Sequence, residues 1–159
     1  MKLGEILEQE KPDYLLIQGD TTTALAASLA AFYYKVKIAH IEAGLRTWNK
    51  LNPYPEEINR KLIDALSDLY FAHTERAKQN LIREGVNKDN IIVSGNTVID
   101  ALLDVAIRSF DIEGSILRGI PFSRKKIILI TAHRRESFGQ PPRNICYAIR
   151  KSHCVSPQK

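Results

Sequence analysis

The sequence predicts an α/β protein built on a parallel, Rossmann-like sheet, and three observations predict it. Short apolar runs of strand length alternate with longer helix-forming segments. Gly19, Gly44 and Gly85 each close one of these stretches. The content, 44% hydrophobic and 26% charged over 159 residues, is that of a globular chain able to bury a core. Strands alternating with helices imply βαβ units with right-handed crossovers, in a doubly wound layout.

Taken in order, Leu3–Glu10 reads as a short helix and Asp13–Gln18 as the first strand, ended by Gly19. Thr21–Tyr34 is rich in Ala and Leu and reads as a helix, followed by a strand over Lys37–Ile41. Asn52, Pro53 and Pro55 make a loop before a helix over Glu56–Ser67. Leu69–Ala72 is a third strand, Thr74–Glu84 a helix and Ile91–Val93 a short fourth strand. The character changes after Gly95. Thr97–Ser109 is a longer amphipathic helix, and Asp111–Phe122 shows no periodicity and contains Gly114, Gly119 and Pro121. Lys126–Thr131 (KIILIT) then reads as a buried-type strand and Arg143–Ser152 as the helix after it. Residues 1–96 are thus expected to be the C-terminal part of a first Rossmann-like domain, 97–122 an interdomain helix and linker, and 123–159 the first strand and helix of a second such domain.

Composition narrows the function. No apolar run approaches the roughly 20 residues that span a bilayer, and the acidic N-terminus (Glu5, Glu8, Glu10) does not read as a signal peptide, so the expected location is the cytoplasm with no membrane partner. Cys146 and Cys154 have no ligand spacing, so neither metal nor disulfide is expected. The net charge of +5 suits an anionic partner. No nucleic-acid-binding motif accompanies it, and nucleic acid is not expected as that partner. No G-x-G-x-x-G or Walker loop is present, which argues against dinucleotide and P-loop chemistry.

In open parallel sheets, ligands bind at the carboxyl ends of the strands. Asp20 follows the first strand, Glu42 the second, and His133 the strand after the junction. Asp20 alone could be a helix N-cap. Two acids on neighbouring strands would converge on one crevice, where like charge raises one pKa toward an acid/base range. Glu56 and Glu57 open a helix and could serve only its dipole. Arg46 and Arg60 could clamp phosphate or carboxylate, or pair with Glu56 and Glu57. His133, Arg134 and Arg135, at a strand end before a helix, suit an anion.

Five ordered segments resemble one family. They are Gln18-Gly19-Asp20-Thr21-Thr22-Thr23, His40-Ile41-Glu42-Ala43-Gly44-Leu45-Arg46-Thr47, Pro55-Glu56-Glu57-Ile58-Asn59-Arg60, Gly95-Asn96-Thr97-Val98-Ile99-Asp100 and His133-Arg134-Arg135-Glu136-Ser137-Phe138-Gly139. In order and spacing they resemble the non-hydrolysing UDP-N-acetylglucosamine 2-epimerases. The resemblance implies a two-domain glycosyltransferase-B (GT-B) fold with its site between the domains, and interconversion of UDP-N-acetylglucosamine and UDP-N-acetylmannosamine in cell-envelope polysaccharide biosynthesis. It implies Asp20, Glu42 and Glu56 as acid/base residues, His133 as a contact to UDP or its leaving phosphate, Arg134 and Arg135 as anion contacts or an effector site, no cofactor, and a homodimer for the full-length protein; Arg46 is kept as a substrate-binding candidate on its own chemistry.

The family also has a Gly-Thr-Arg-Pro-Glu type loop, which is not found before Lys11, and a Gly-rich Asp-Ser-Gly-Gly segment that does not occur here; residues 154–159 no longer resemble it. A fragment with most of its nucleotide clamp missing is therefore expected, with apolar surface left on the Leu15–Ile17 strand. The alternatives are a hydrolysing 2-epimerase, a GT-B glycosyltransferase, and an inactive remnant or binding module of the same family.

Overall fold

The computed structural model describes residues 2–122, 124–131 and 140–153. They fall into two compact units, residues 1–107 and 108–159, which are described separately.

The first unit opens with α1 (Lys2–Glu10), β1 (Tyr14–Gln18) and α2 (Thr22–Tyr33). β2 (Lys37–Ala43), α3 (Glu56–Leu66), β3 (Leu69–Ala72) and α4 (Glu75–Arg83) follow. A 3₁₀ turn, Lys88–Asn90, leads into β4 (Ile91–Val93), and α5 (Thr97–Ala106) ends the unit. Sequence periodicity located all nine of these helices and strands to within about three residues at each end, the usual precision of element boundaries. α5 groups with this unit rather than with the segment after it.

All four strands are parallel, in the order β1-β2-β3-β4. A strand order that advances in one direction, joined by right-handed crossovers, puts successive helices on the same face. One row across the sheet, Ile17, His40, Tyr70 and Ile91, is in register and buried beneath these helices at 5%, 0%, 5% and 6% exposure. The next row, Gln18, Ile41, Phe71 and Ile92, faces the other way, and Ile92 is 47% exposed. The four strands are therefore wound on one side. The expected double winding requires a reversal of strand order, and these strands contain none.

The core follows from this arrangement. Leu7, Ala24, Ala30, Ala31 and Ile63 pack from α1, α2 and α3 onto Ile17 and Ile38. Ala77 and Leu81 of α4 pack onto Ala43, Tyr70, Ala72 and Ile91. Small residues on α2 let that helix lie close to the sheet, which explains its weak apolar periodicity. Burial of Ile38, Ile63 and Leu81, each at 1% exposure or less, contributes on the order of 1.5–3 kcal/mol per side chain.

In the second unit α6 spans Gln140–His153, covering the helix expected over Arg143–Ser152. Residues 126–131 do not form the expected strand, and Ile128 and Leu129 are 81% and 88% exposed. An apolar run becomes a strand only where a neighbouring backbone takes its hydrogen bonds, and no described strand pairs with this one.

A carboxylate cluster at the carboxyl ends of β1 and β2

The turn after β1 places Asp20. Gly19 takes a φ of +73°, which costs glycine little, and its N–H donates to the Ile41 carbonyl at 3.0 Å. The N-cap of α2 is Thr21, whose hydroxyl accepts from the Ala24 N–H at 3.1 Å. Asp20 is thereby free of the capping role and pairs with Arg60 Nη2 at 2.7 Å, while Asn59 donates to its backbone carbonyl at 2.9 Å. Arg60 and Asn59 come from the first turns of α3, so that helix is tied directly to the Asp20 turn.

Glu42 sits where β2 slips against β3, in a register shift between Ile41 and Ala43, with a φ of +74°. A left-handed non-glycine residue costs on the order of 1–3 kcal/mol and persists only where the surrounding structure enforces it. Such a bulge re-aims the side chain. Glu42 Oε2 consequently lies 3.6 Å from where a Cβ on Gly19 would stand, above the turn that carries Asp20. The strand ends that carry Asp20 and Glu42 are adjacent, since β1 and β2 pair through Gln18 and Ile41.

His73, immediately after β3, completes this edge. Its Nε2 is 3.7 Å from Glu42 Oε1, sealed from solvent and without a hydrogen-bond partner. Sequence reasoning passed over His73, although the strand-end rule that selected Asp20 and Glu42 applies to it equally. Glu56, at the start of α3, shares the helix face of Arg60 one turn on, and Arg60 Nε donates to its carbonyl at 3.3 Å.

Glu57 has a different task. It is 1% exposed, and its carboxylate accepts the N–H groups of Thr47 and Trp48 at 2.9–3.1 Å. Burial pushes its carboxyl up, but these donors and Arg60 hold it net below the usual carboxylate range. Arg46 is also occupied. Its guanidinium donates to Asp64 Oδ2 at 2.7 Å and pairs closely with Glu84, and its side chain is fully covered. These contacts take the donors that an anion clamp would need; Arg60 is the arginine at the cluster. Burial lowers the Arg46 pKa, and its bonds and charges with Glu84 and Asp64 leave it net raised.

Asp64, 2% exposed, is the hub beneath the cluster. Besides Arg46, it receives the Gly44 N–H at 3.2 Å and lies 2.6 Å from His40 Nδ1. His40 Nε2 in turn lies 2.9 Å from the Gly19 carbonyl. His133, Arg134 and Arg135 lie outside the described residues. Among the described residues no group of three or more His, Cys, Asp and Glu side chains could hold a metal ion, and no helix is long and apolar enough to cross a membrane.

The sequence profile described as UDP-N-acetylglucosamine 2-epimerase matches residues 1–156, so the similarity runs past Cys154, where the sequence reading ended it. The chain is 50% identical over 152 residues to the UDP-N-acetylglucosamine 2-epimerase of Neisseria meningitidis, spanning 92% of this chain and 41% of that protein. It is 47% identical over 151 residues to the Bacillus subtilis enzyme of the same name, spanning 95% and 39%. The crystal structure of the Neisseria meningitidis epimerase bound to UDP-GlcNAc superposes with a TM-score of 0.85 and 48% identity, over 98% of this chain and 43% of that one. The Staphylococcus aureus MnaA structure with UDP gives 0.82 and 43%, over 94% and 40%. The chain thus spans about two fifths of the length of these relatives. With the parallel sheet in hand, the fold is that of the first part of a GT-B protein, and the chain belongs to the UDP-N-acetylglucosamine 2-epimerase family.

Proposed function

We propose that this chain supplies the carboxylate half of a non-hydrolysing epimerase site that interconverts UDP-N-acetylglucosamine and UDP-N-acetylmannosamine. The observation that supports it most is Glu42, held at a positive φ in a bulge that turns its carboxylate over the Asp20 turn. Inversion at C2 needs a base on one face of the sugar and a proton donor on the other, and convergent carboxylates meet that need without a cofactor. A carboxylate removes the C2 proton, the C–H pair forms the C1–C2 double bond, and UDP leaves with the C1–O pair. The 2-acetamidoglucal intermediate then takes a proton at C2 from the opposite face while a UDP oxygen rebonds to C1.

Asp20, Glu42 and Glu56 are the acid/base residues in this reading, and His133 contacts the departing UDP. Arg134 and Arg135 add anion contacts. Arg46 acts at one remove, by holding Asp64. The reaction is cytoplasmic, and the full-length assembly is a homodimer.

A second reading is a family member that retains the acids but not the turnover. Proton NMR of UDP-N-acetylglucosamine in deuterated water separates the two. Loss of the C2 proton signal together with growth of the manno isomer supports epimerisation, and Glu42→Gln should slow both by about a hundredfold or more. An unchanged spectrum over a folded chain supports the second reading. Release of free N-acetylmannosamine would instead assign the hydrolysing branch.

A further inference from the structure

His40 is 0% exposed, and both of its ring nitrogens face oxygen. Nε2 is 2.9 Å from the Gly19 carbonyl, which can only accept, so Nε2 bears a proton. Nδ1 is 2.6 Å from Asp64 Oδ1. The other oxygen of that carboxylate already accepts from Arg46 Nη2 at 2.7 Å and the Gly44 N–H at 3.2 Å, the environment of an ionised acid. A neutral imidazole has one N–H and would set a lone pair against oxygen at one of these two short contacts.

The surrounding charges accommodate a second proton. Arg46 and a charged His40 face Asp64 and, at the exposed edge, Glu84, so the charges of the cluster balance. Lys61, 3.6 Å from Glu84 and 40% exposed, lies at the solvated rim. From β3 the Tyr70 hydroxyl lies against the backbone oxygens of Asp64 and Ser67, at 2.8 and 2.6 Å. It presents no negative charge to the ring.

We propose that His40 is a doubly protonated positioning residue, the tie that carries the anchorage of Asp64 across to the end of β1. Asp64 holds the end of β2 directly, through the Gly44 N–H, and holds the end of β1 through His40 and the Gly19 carbonyl. The two strand ends so fixed are those that present Glu42 and Asp20. Their spacing is set from below by α3, before any ligand arrives. The link to catalysis rests on the function proposed above; the protonation state and the tie do not.

Two measurements on the full chain without substrate test this. Long-range nitrogen–proton NMR of chain labelled in its four histidines should show one with protons on both ring nitrogens, and His40→Phe should delete that signal. A His40 signal with an unprotonated nitrogen, the proton lying on Asp64 instead, overturns the proposal. Hydrogen exchange supplies the second readout. His40→Phe fills the space of the ring without donors, and exchange at the Gly19 amide should rise about tenfold or more relative to Phe71 in β3, the factor expected for one lost charge-assisted bond. Equal exchange at Gly19 in a folded variant overturns the tie. If His40→Phe fails to fold, the protonation measurement on the native chain, assigned by elimination against variants of the other three histidines, still decides.

Discussion

Asp20, Glu57 and Asp64 are all carboxylates near α3, and their surroundings give each a separate task. Asp20 is partly exposed beside Arg60, Glu57 is closed over the Thr47–Trp48 backbone, and Asp64 is the centre of a buried ion-pair network. Removing one member of a buried network leaves its partners uncompensated, so Asp64→Asn should lower stability by about 3–5 kcal/mol, read by urea unfolding. Glu57 makes stability depend on acid. Its folded pKa lies below the unfolded value of 4.5, so its contribution is present above about pH 4.5 and is lost as pH falls through the folded value. Glu57→Gln should therefore flatten the acid limb of a plot of unfolding midpoint against pH. Tyr70 works at the other end of the scale. Burial, then the charges of Asp64 and Asp68, push its phenol up to about 12, so its contribution is complete below the ordinary value of 10.0 and is lost as pH rises toward 12. Tyr70→Phe should remove that alkaline loss from the same plot.

At the scale of elements, the close approach of α4 to the end of β2 is the tightest requirement. Gly44 has a φ of +82°, and a Cβ there would stand 2.3 Å from the Ala77 carbonyl oxygen, a backbone atom that cannot swing aside. Gly44→Ala should cost about 2–4 kcal/mol, combining backbone strain with displacement of α4. The same substitution moves the N–H that Asp64 receives, so the effect should extend to the Gly19 end of the network. The bulge at Glu42 is the second requirement. β2 is continuous on both sides of it, and the slip turns one residue out of the strand's alternation.

At the scale of the whole molecule, the buried residues among those described belong to residues 1–107, and those described in 108–131 are largely exposed. Exposed backbone with few buried contacts opens at low free energy. Limited trypsin digestion should therefore cut first after Arg118, Arg124, Lys125 or Lys126, and mass spectrometry should find a product that retains the β1–β4 sheet. First cuts within 14–93 would contradict this division of stability.

The sequence by itself determined the element order, the parallel sheet and the family, because alternation of apolar runs with helix formers and the punctuation by glycine are local signals. It also put Asp20 and Glu42 at strand ends, since strand position alone decides that. Only the tertiary structure decided what each group near those ends does. Arg46 could have been a clamp, but Asp64, distant in sequence, and Glu84, more distant still, meet it in space. Glu56 and Glu57 look alike as a pair, and only the fold shows that the Glu57 carboxylate is buried, taken by the Thr47 and Trp48 N–H groups and by Arg60. The direction of winding and the unformed strand at 126–131 were decided in the same way, by which backbone lies alongside. Partners in hydrogen bonding and burial are set by contacts between remote residues, to which a reading of local pattern has no access.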